Sequence, residues 1–276
     1  MSKSIIYFML IAAAFVACDP IEDRQTIGDA ITADQLDVKA TPVVVNGKNS
    51  NKVILENNSP VLSSWNYGIG TSQNAYLEVL LVIEGENKVT FTGLNPDGTT
   101  ITKELTVNVE ELSFPVAAEW GMLCGSGSKD WVWDETANAV WGNGGYKGNT
   151  SPGWWTNDKA SMDINDPDYG SNGYMTFSVN GSSLTKTSGL STLAQTGTFK
   201  FDMSKTTNDD AGAIWAKGKL NTKGVTVLCG KSPNESNAPV YDYDILKLDD
   251  DKLVLSYPEP GAGSWGTAWF WMFRAK

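Results

Sequence analysis

The clearest pattern of apolar and polar positions runs through "TITKELTVNV". Ile101, Lys103, Leu105, Val107 and Val109 alternate with Thr102, Glu104, Thr106, Asn108 and Glu110. A period of two predicts a strand with one wetted face. "YLEVLLVI" (76–83) and "NKVTFTG" (87–93) are rich in branched and aromatic residues and predict further strands. "NPDG" at 95–98 predicts the turn between two of them. Later in the chain the same signals recur in "YMTFSV" (174–179), "GTFKFDM" (197–203), "GVTVLC" (224–229), "YDYDILKL" (241–248), "KLVLSY" (252–257) and "TAWFWMF" (267–273). Turn clusters separate them: "NGSS", "TTNDDAG", "LDDD" and "PEPGAGSWG". In "AWFWMF" both faces are apolar, so Trp269 and Trp271 are expected in a core. No long helical period occurs. The pattern predicts an all-β protein with antiparallel sheets.

One hydrophobic run stands outside this scheme. "MSKSIIYFMLIAAAFVAC" carries Lys3, then an apolar run from Ile5 to Val16 and a small residue before Cys18. It is too short for a spanning helix and reads as a secretory signal over residues 1–17. A cysteine in that place resembles a bacterial lipobox, which implies cleavage before Cys18 and lipidation of its thiol. Residues 18–30 are polar and acidic and are expected to form a flexible tether. An acidic stretch after such a cysteine resembles the surface-export signal of Bacteroidota-type outer-membrane lipoproteins.

A compositional shift near residue 113 divides the rest. Trp65 alone precedes it, and the other ten tryptophans follow. "EELSFPVAAEW", with Pro115, is the expected joint between domains at 31–114 and 115–276. In the first, "SSWNYGIG" and "GENKVTFTGLNPDGTTITKELTVNV" resemble a PKD or related immunoglobulin-like domain. Trp65, Gly68, Gly70, Val89, Phe91, Asn95, Gly98 and Val109 carry the likeness. It implies a small sandwich acting as a spacer. The second segment is expected to be a larger antiparallel β-sandwich (jelly-roll-like) or a lipocalin-like barrel.

Charge and residue inventory narrow the chemistry. The chain carries −11; removal of residues 1–17 takes away Lys3 alone and leaves −12. Such a charge argues against nucleic acid as partner. There is no histidine, which removes Ser–His–Asp and Cys–His catalysis and ordinary zinc or copper sites. No nucleotide-binding glycine motif opens a helix, and "GSGSKDW" reads as a loop. Glu119, Asp134, Glu135, Glu235 and Glu259 form no spaced pair of glycosidase type. "DINDPDYGSNG" offers oxygens to calcium but reads as turns. No catalytic residue, cofactor or metal is expected. Cys124 and Cys229 are equally readable as a disulfide or as two buried thiols.

The tryptophans remain. "WVWDETANAVWGNGGYKGNTSPGWW" (131–155) holds five of them among glycine, asparagine and proline. An indole offers a flat face to the C–H face of a sugar ring, and neighbouring polar groups take the hydroxyls. Trp131 and Trp133 share one face of an extended strand, and "DETANA" is expected to turn Trp141 back beside them. Trp154 and Trp155 point apart, so one is expected outward and the other in the core. The candidate ligand-binding residues are therefore Trp131, Trp133, Trp141, Tyr146, Lys147, Asn149, Trp154 and Trp155, with Cys18 as the lipidation site. The run "W-x-W-D … WGNGGY … P-x-WW", then "YDYDILKLDDDKLVLSY" and "WFWMFRAK", resembles the C-terminal β-domain of surface lipoproteins in Sus-type polysaccharide-uptake loci. The resemblance implies a non-catalytic, cell-surface, outer-membrane lipoprotein that presents aromatic residues to a polysaccharide or oligosaccharide, with uptake-complex proteins as partners. The alternative reading is a lipocalin-like or structural cell-envelope protein, since "LKLDDDKLVLSY" also resembles lipocalin-like repeats. Its tryptophans would be core or line an apolar cavity.

Overall fold

The computed structural model describes residues 28–276. The signal run, the lipidation site Cys18 and the tether up to residue 27 lie outside the described residues. The first seven strands are β1 (Val38–Val45), β2 (Lys48–Asn57), β3 (Leu62–Asn66), β4 (Thr71–Ser72), β5 (Tyr76–Leu80), β6 (Gly85–Leu94) and β7 (Thr100–Val109). They form two antiparallel sheets, in the orders β1-β2-β5 and β4-β3-β6-β7. The alternation in β7 turns Val107 and Val109 into the core and leaves Thr106 and Asn108 in water. Between the sheets, Trp65 meets the edge of Phe91 at 4.6 Å, and its indole N–H donates to the Asn74 carbonyl. That bond removes the cost of burying the donor. Asn95 and Gly98 make the expected turn, closed by Gly98 N–H to the Asn95 carbonyl.

The remaining strands are β8 (Ser128–Trp133), β9 (Trp141–Gly145), β10 (Trp155–Asn157), β11 (Tyr174–Ser178), β12 (Ser183–Thr187), β13 (Ala194–Asp202), β14 (Thr207–Asn208), β15 (Ile214–Ala216), β16 (Gly218–Lys223), β17 (Lys231–Ser232), β18 (Ala238–Pro239), β19 (Asp242–Leu248), β20 (Lys252–Pro258) and β21 (Thr267–Ala275). Eight of them, β8-β11-β12-β13-β16-β19-β20-β21, pair in turn, and β21 pairs back onto β8. Of the two expected architectures the chain adopts the barrel. Closure is made by Phe273 opposite Trp133 and Ala275 opposite Trp131. β9 continues the line of β8 and pairs with the first half of β21, Trp141 lying opposite Trp271. β10 adds to β9 outside the barrel.

An eight-stranded barrel is just wide enough for side chains to fill it. Here they include Trp131, Trp133, Trp269, Trp271, Phe177, Phe273 and Tyr243, all buried. The other face of β21 is also covered. Phe270 packs with Trp215, Leu246 and Val254 under the β14–β15 hairpin, with Tyr146 and Met272 at its edge. This is the physical reason for the doubly apolar "AWFWMF". Three local expectations differ from the structure. "GVTVLC" is not a strand: Val225, Val227, Leu228 and Cys229 plug one mouth of the barrel. "DETANA" does not make a hairpin, because β9 follows β8 along the same neighbour, β21, rather than folding back. Cys124 and Cys229 are free and buried, one in the helix Glu119–Cys124 at the near end and the other in the far plug. Burial pushes the Cys124 thiol up to about 12, and pushes Cys229 up as well, so both stay protonated.

Strand direction sorts the loops into two ends. The near end carries Gly125–Gly127 and the β11–β12 turn, and there the sandwich packs. Val82 joins the barrel cluster, with Ile69 and Ile83 against it. The far end carries 146–154, 158–173, 188–193, 224–241 and 259–266. Among the described residues no helix is long and apolar enough to cross a membrane.

Candidate functional site

The exposed aromatic residues of the barrel gather at its far end. Trp154 is 53 % exposed, Trp155 43 % and Trp265 59 %, with Tyr241 beside the plug. Trp265 is the most unusual. Its φ is 61°, a left-handed backbone that a bulky residue avoids. Two backbone bonds hold it there: Trp265 N–H donates to the Tyr146 carbonyl at 2.9 Å, and Tyr146 N–H to the Gly266 carbonyl at 2.7 Å. The indole lies on glycine. A methyl at Gly145 would sit 2.5 Å from its Cε3, and one at Gly148 2.5 Å from its Cε2. One indole face is thus seated on bare backbone and the other meets water.

The loop that supplies this seat is internally braced. Asn149 accepts from Gly145 N–H at 2.7 Å through its side chain, and its carbonyl accepts from the Trp215 indole at 2.8 Å. Asn143 does the same for the other arm: its carbonyl accepts from Trp154 N–H and its side chain from Trp155 N–H, both at 3.0 Å. Trp155 rests its ring edge-on against Trp141 at 5.3 Å and Trp269 at 5.8 Å. Beneath it Trp141 and Trp269 stack at 5.4 Å. The Trp269 indole donates to Glu259, and the Tyr257 hydroxyl donates to Glu235, each at 3.0 Å. Burial, then Glu235, push the Tyr257 hydroxyl up to about 12. The rim therefore combines flat apolar faces with fixed hydrogen-bonding groups.

The expected ligand residues separate into two sets. Trp131, Trp133 and Trp141 are buried and face the barrel interior, so they are not available to a ligand; their correct common-face geometry points into a closed core rather than outward. Trp131 and Trp133 are held by indole bonds to the Leu123 and Gly170 carbonyls. Tyr146 is half-buried under the outer cluster, edge-on to Trp215 at 5.1 Å. Asn149 spends its side chain on the loop. Lys147 stands at the surface with φ 62°, its ammonium 5.4 Å from the Tyr146 ring. Trp154 and Trp155 are both exposed, contrary to the one-in, one-out expectation, because Trp154 precedes the short strand β10 and β10 lies outside the barrel, where Trp155 only leans on the edge of the core at Trp141 and Trp269. Trp265 and Tyr241 were missed. The signal for Trp265 was its place in "PEPGAGSWG", a tryptophan among turn residues, which buried strands do not contain. Among the described residues no group of histidine, cysteine and carboxylate side chains could hold a metal ion, and Asp163 accepts from Ser171 N–H within a turn.

No protein-family model matches this sequence, and no curated protein matches it. Among solved structures, the PKD1 domain of Vibrio anguillarum Epp is 16% identical over 30% of this chain and 98% of that chain, with a TM-score of 0.24. The PKD1 domain of the Vibrio cholerae metalloprotease PrtV is 21% identical over 27% of this chain and 95% of its own, with a TM-score of 0.23. A chain from work on the promiscuous specificity of carbohydrate-binding modules of the beta-sandwich superfamily is 9% identical over 90% of this chain and 93% of its own, with a TM-score of 0.22. At these scores the neighbours assign neither ligand nor site.

Proposed function

We propose that the protein is a non-catalytic surface lipoprotein whose barrel captures a neutral polysaccharide or oligosaccharide at its far rim. The observation that carries this reading is Trp265, an exposed indole held flat on glycine in a strained backbone conformation. Strain at a single exposed aromatic residue is hard to account for by stability alone. Trp154 and Trp155 add two further faces on the same rim. In this reading Cys18 carries the lipid anchor in the outer membrane, and the tether and sandwich hold the barrel outward. That places the rim at the end farthest from the membrane, where uptake proteins would receive the glycan. The five interior tryptophans favour a structural role for themselves, as the alternative reading has it; they do not account for the rim. Affinity gel electrophoresis against a panel of neutral polysaccharides (starch, dextran, xylan, laminarin, galactomannan) tests the proposal. Retardation by at least one is the expected result. Unchanged mobility in all of them refutes glycan capture at the rim.

A further inference from the structure

A groove of about 400 Å³ runs where the sandwich meets the near end of the barrel. Its volume falls within the ~300–1,000 Å³ typical of small-molecule sites. The two walls are clamped at backbone distance. Ser182 Oγ donates to the Gly68 carbonyl at 3.1 Å. Gly68 has φ +90°, and a methyl there would sit 3.2 Å from the Val179 carbonyl oxygen. Gly127 faces the Ile83 side chain, 3.7 Å from where its methyl would be. The groove is therefore preformed by the contact between the modules rather than made by a loop.

We propose that this groove is a second ligand site, for a neutral, hydroxyl-rich molecule of the size of one or two sugar units. Three features set that chemistry. Ile83 and Val179 supply an apolar strip flanked by the Tyr67 ring, suited to C–H groups. Thr106, Ser126, Ser128 and Asn180 bring hydroxyl and carboxamide groups whose side chains have no hydrogen-bond partner among the described residues. Glu86 and Lys88 lie on the same wall, and Lys88 is paired with Glu104 at 2.9 Å, so Glu86 adds one carboxylate that turns anions away and can accept from a ligand hydroxyl. Alternating hydrogen-bonding groups and apolar contact, with a carboxylate to accept from hydroxyls, is the complement of a polyol. The site does not depend on Trp265, which stands at the opposite end of the barrel.

Methyl NMR on the isoleucine-labelled full chain tests the site, because Ile83 lies in the groove and Ile164 at the far end. The probes are glucose, galactose, mannose, xylose and N-acetylglucosamine, each titrated into the millimolar range and beyond. At least one is expected to shift the Ile83 methyl saturably. The double substitution Asn180→Ala, Thr106→Val should weaken that response about tenfold, the scale of one or two lost hydrogen bonds. Trp265→Ala should leave it unchanged. An Ile83 methyl that no sugar shifts saturably overturns the proposal. So does a shift that ignores the double substitution, or one that disappears with Trp265→Ala. A saturable Ile83 shift beside failed polysaccharide retardation would refute the rim and leave the groove standing.

Discussion

At the scale of single residues, the same side chain plays opposite parts according to what lies behind it. Trp131 and Trp133 fill the barrel, and truncating either to alanine should cost about 3–5 kcal/mol of stability, read as a large fall in melting temperature. Trp155 rests on two ring edges worth about 0.5–1.5 kcal/mol each, so Trp155→Ala should cost about 1–3 kcal/mol while Trp154→Ala leaves the melt nearly unchanged. Equal losses for the pair would contradict the placement of β10 outside the core. Gly148→Ala offers a sharper probe. Its methyl would sit 2.5 Å from the Trp265 ring, so the indole must leave its seat although the residue itself is exposed. Glycan affinity should fall with little change in stability, and titration calorimetry beside a melt separates the two. Alternation along "WVW" correctly put Trp131 and Trp133 on one face. It could not say which face was closed, because closure is made by Phe273 and Ala275, about 140 residues away in sequence. Trp265 was hidden for the converse reason, since a turn pattern carries no information about a ring lying on Gly145 and Gly148.

At the scale of elements, strand positions were largely legible and their cover was not. β7, β11, β19, β20 and β21 fall where alternation or branched residues place them, because each buries a face over many consecutive residues. "GVTVLC" has the composition of a strand and became a plug, since its apolar groups fill a mouth rather than a sheet. The β14–β15 hairpin was equally invisible as a lid over β19–β21. Beneath it lies Asp244, fully buried, with Lys219 Nζ at 3.0 Å. Burial pushes its carboxyl up, and Lys219 offsets this only in part. The folded protein thus holds that proton to higher pH than the unfolded chain does. Stability from this group is highest at low pH and is lost as pH rises from the usual carboxylate range through the raised value. Asp244→Asn never acquires the charge, so its melting temperature should gain on the wild type as pH rises across that window. Melts in a pH series check this; a gap that narrows with rising pH would contradict it.

At the scale of the whole molecule, barrel closure leaves the eight strands without a free edge that could pair with another chain. The sandwich lends Val82 to the barrel cluster, so a fragment beginning near residue 115 should fold cooperatively yet melt below the full chain. Calorimetry of the fragment checks this, and a fragment that fails to fold would mean the two modules form one cooperative unit. The order of sandwich and larger aromatic β-domain was readable because composition changes between them. The end of the barrel at which the exposed aromatic residues gather was not, since it depends on strand direction and on where the sandwich docks. The central claim is that the far rim, through Trp265 and Trp154, holds a neutral glycan. Titration calorimetry with the retarding polysaccharide, comparing wild type with Trp265→Ala and Trp154→Ala, tests it most directly. Stacking on such a face is worth ~1–3 kcal/mol by analogy with bases on aromatic side chains, so each variant should bind about 5- to 150-fold more weakly at an unchanged melting temperature. Undiminished affinity in both variants would contradict it.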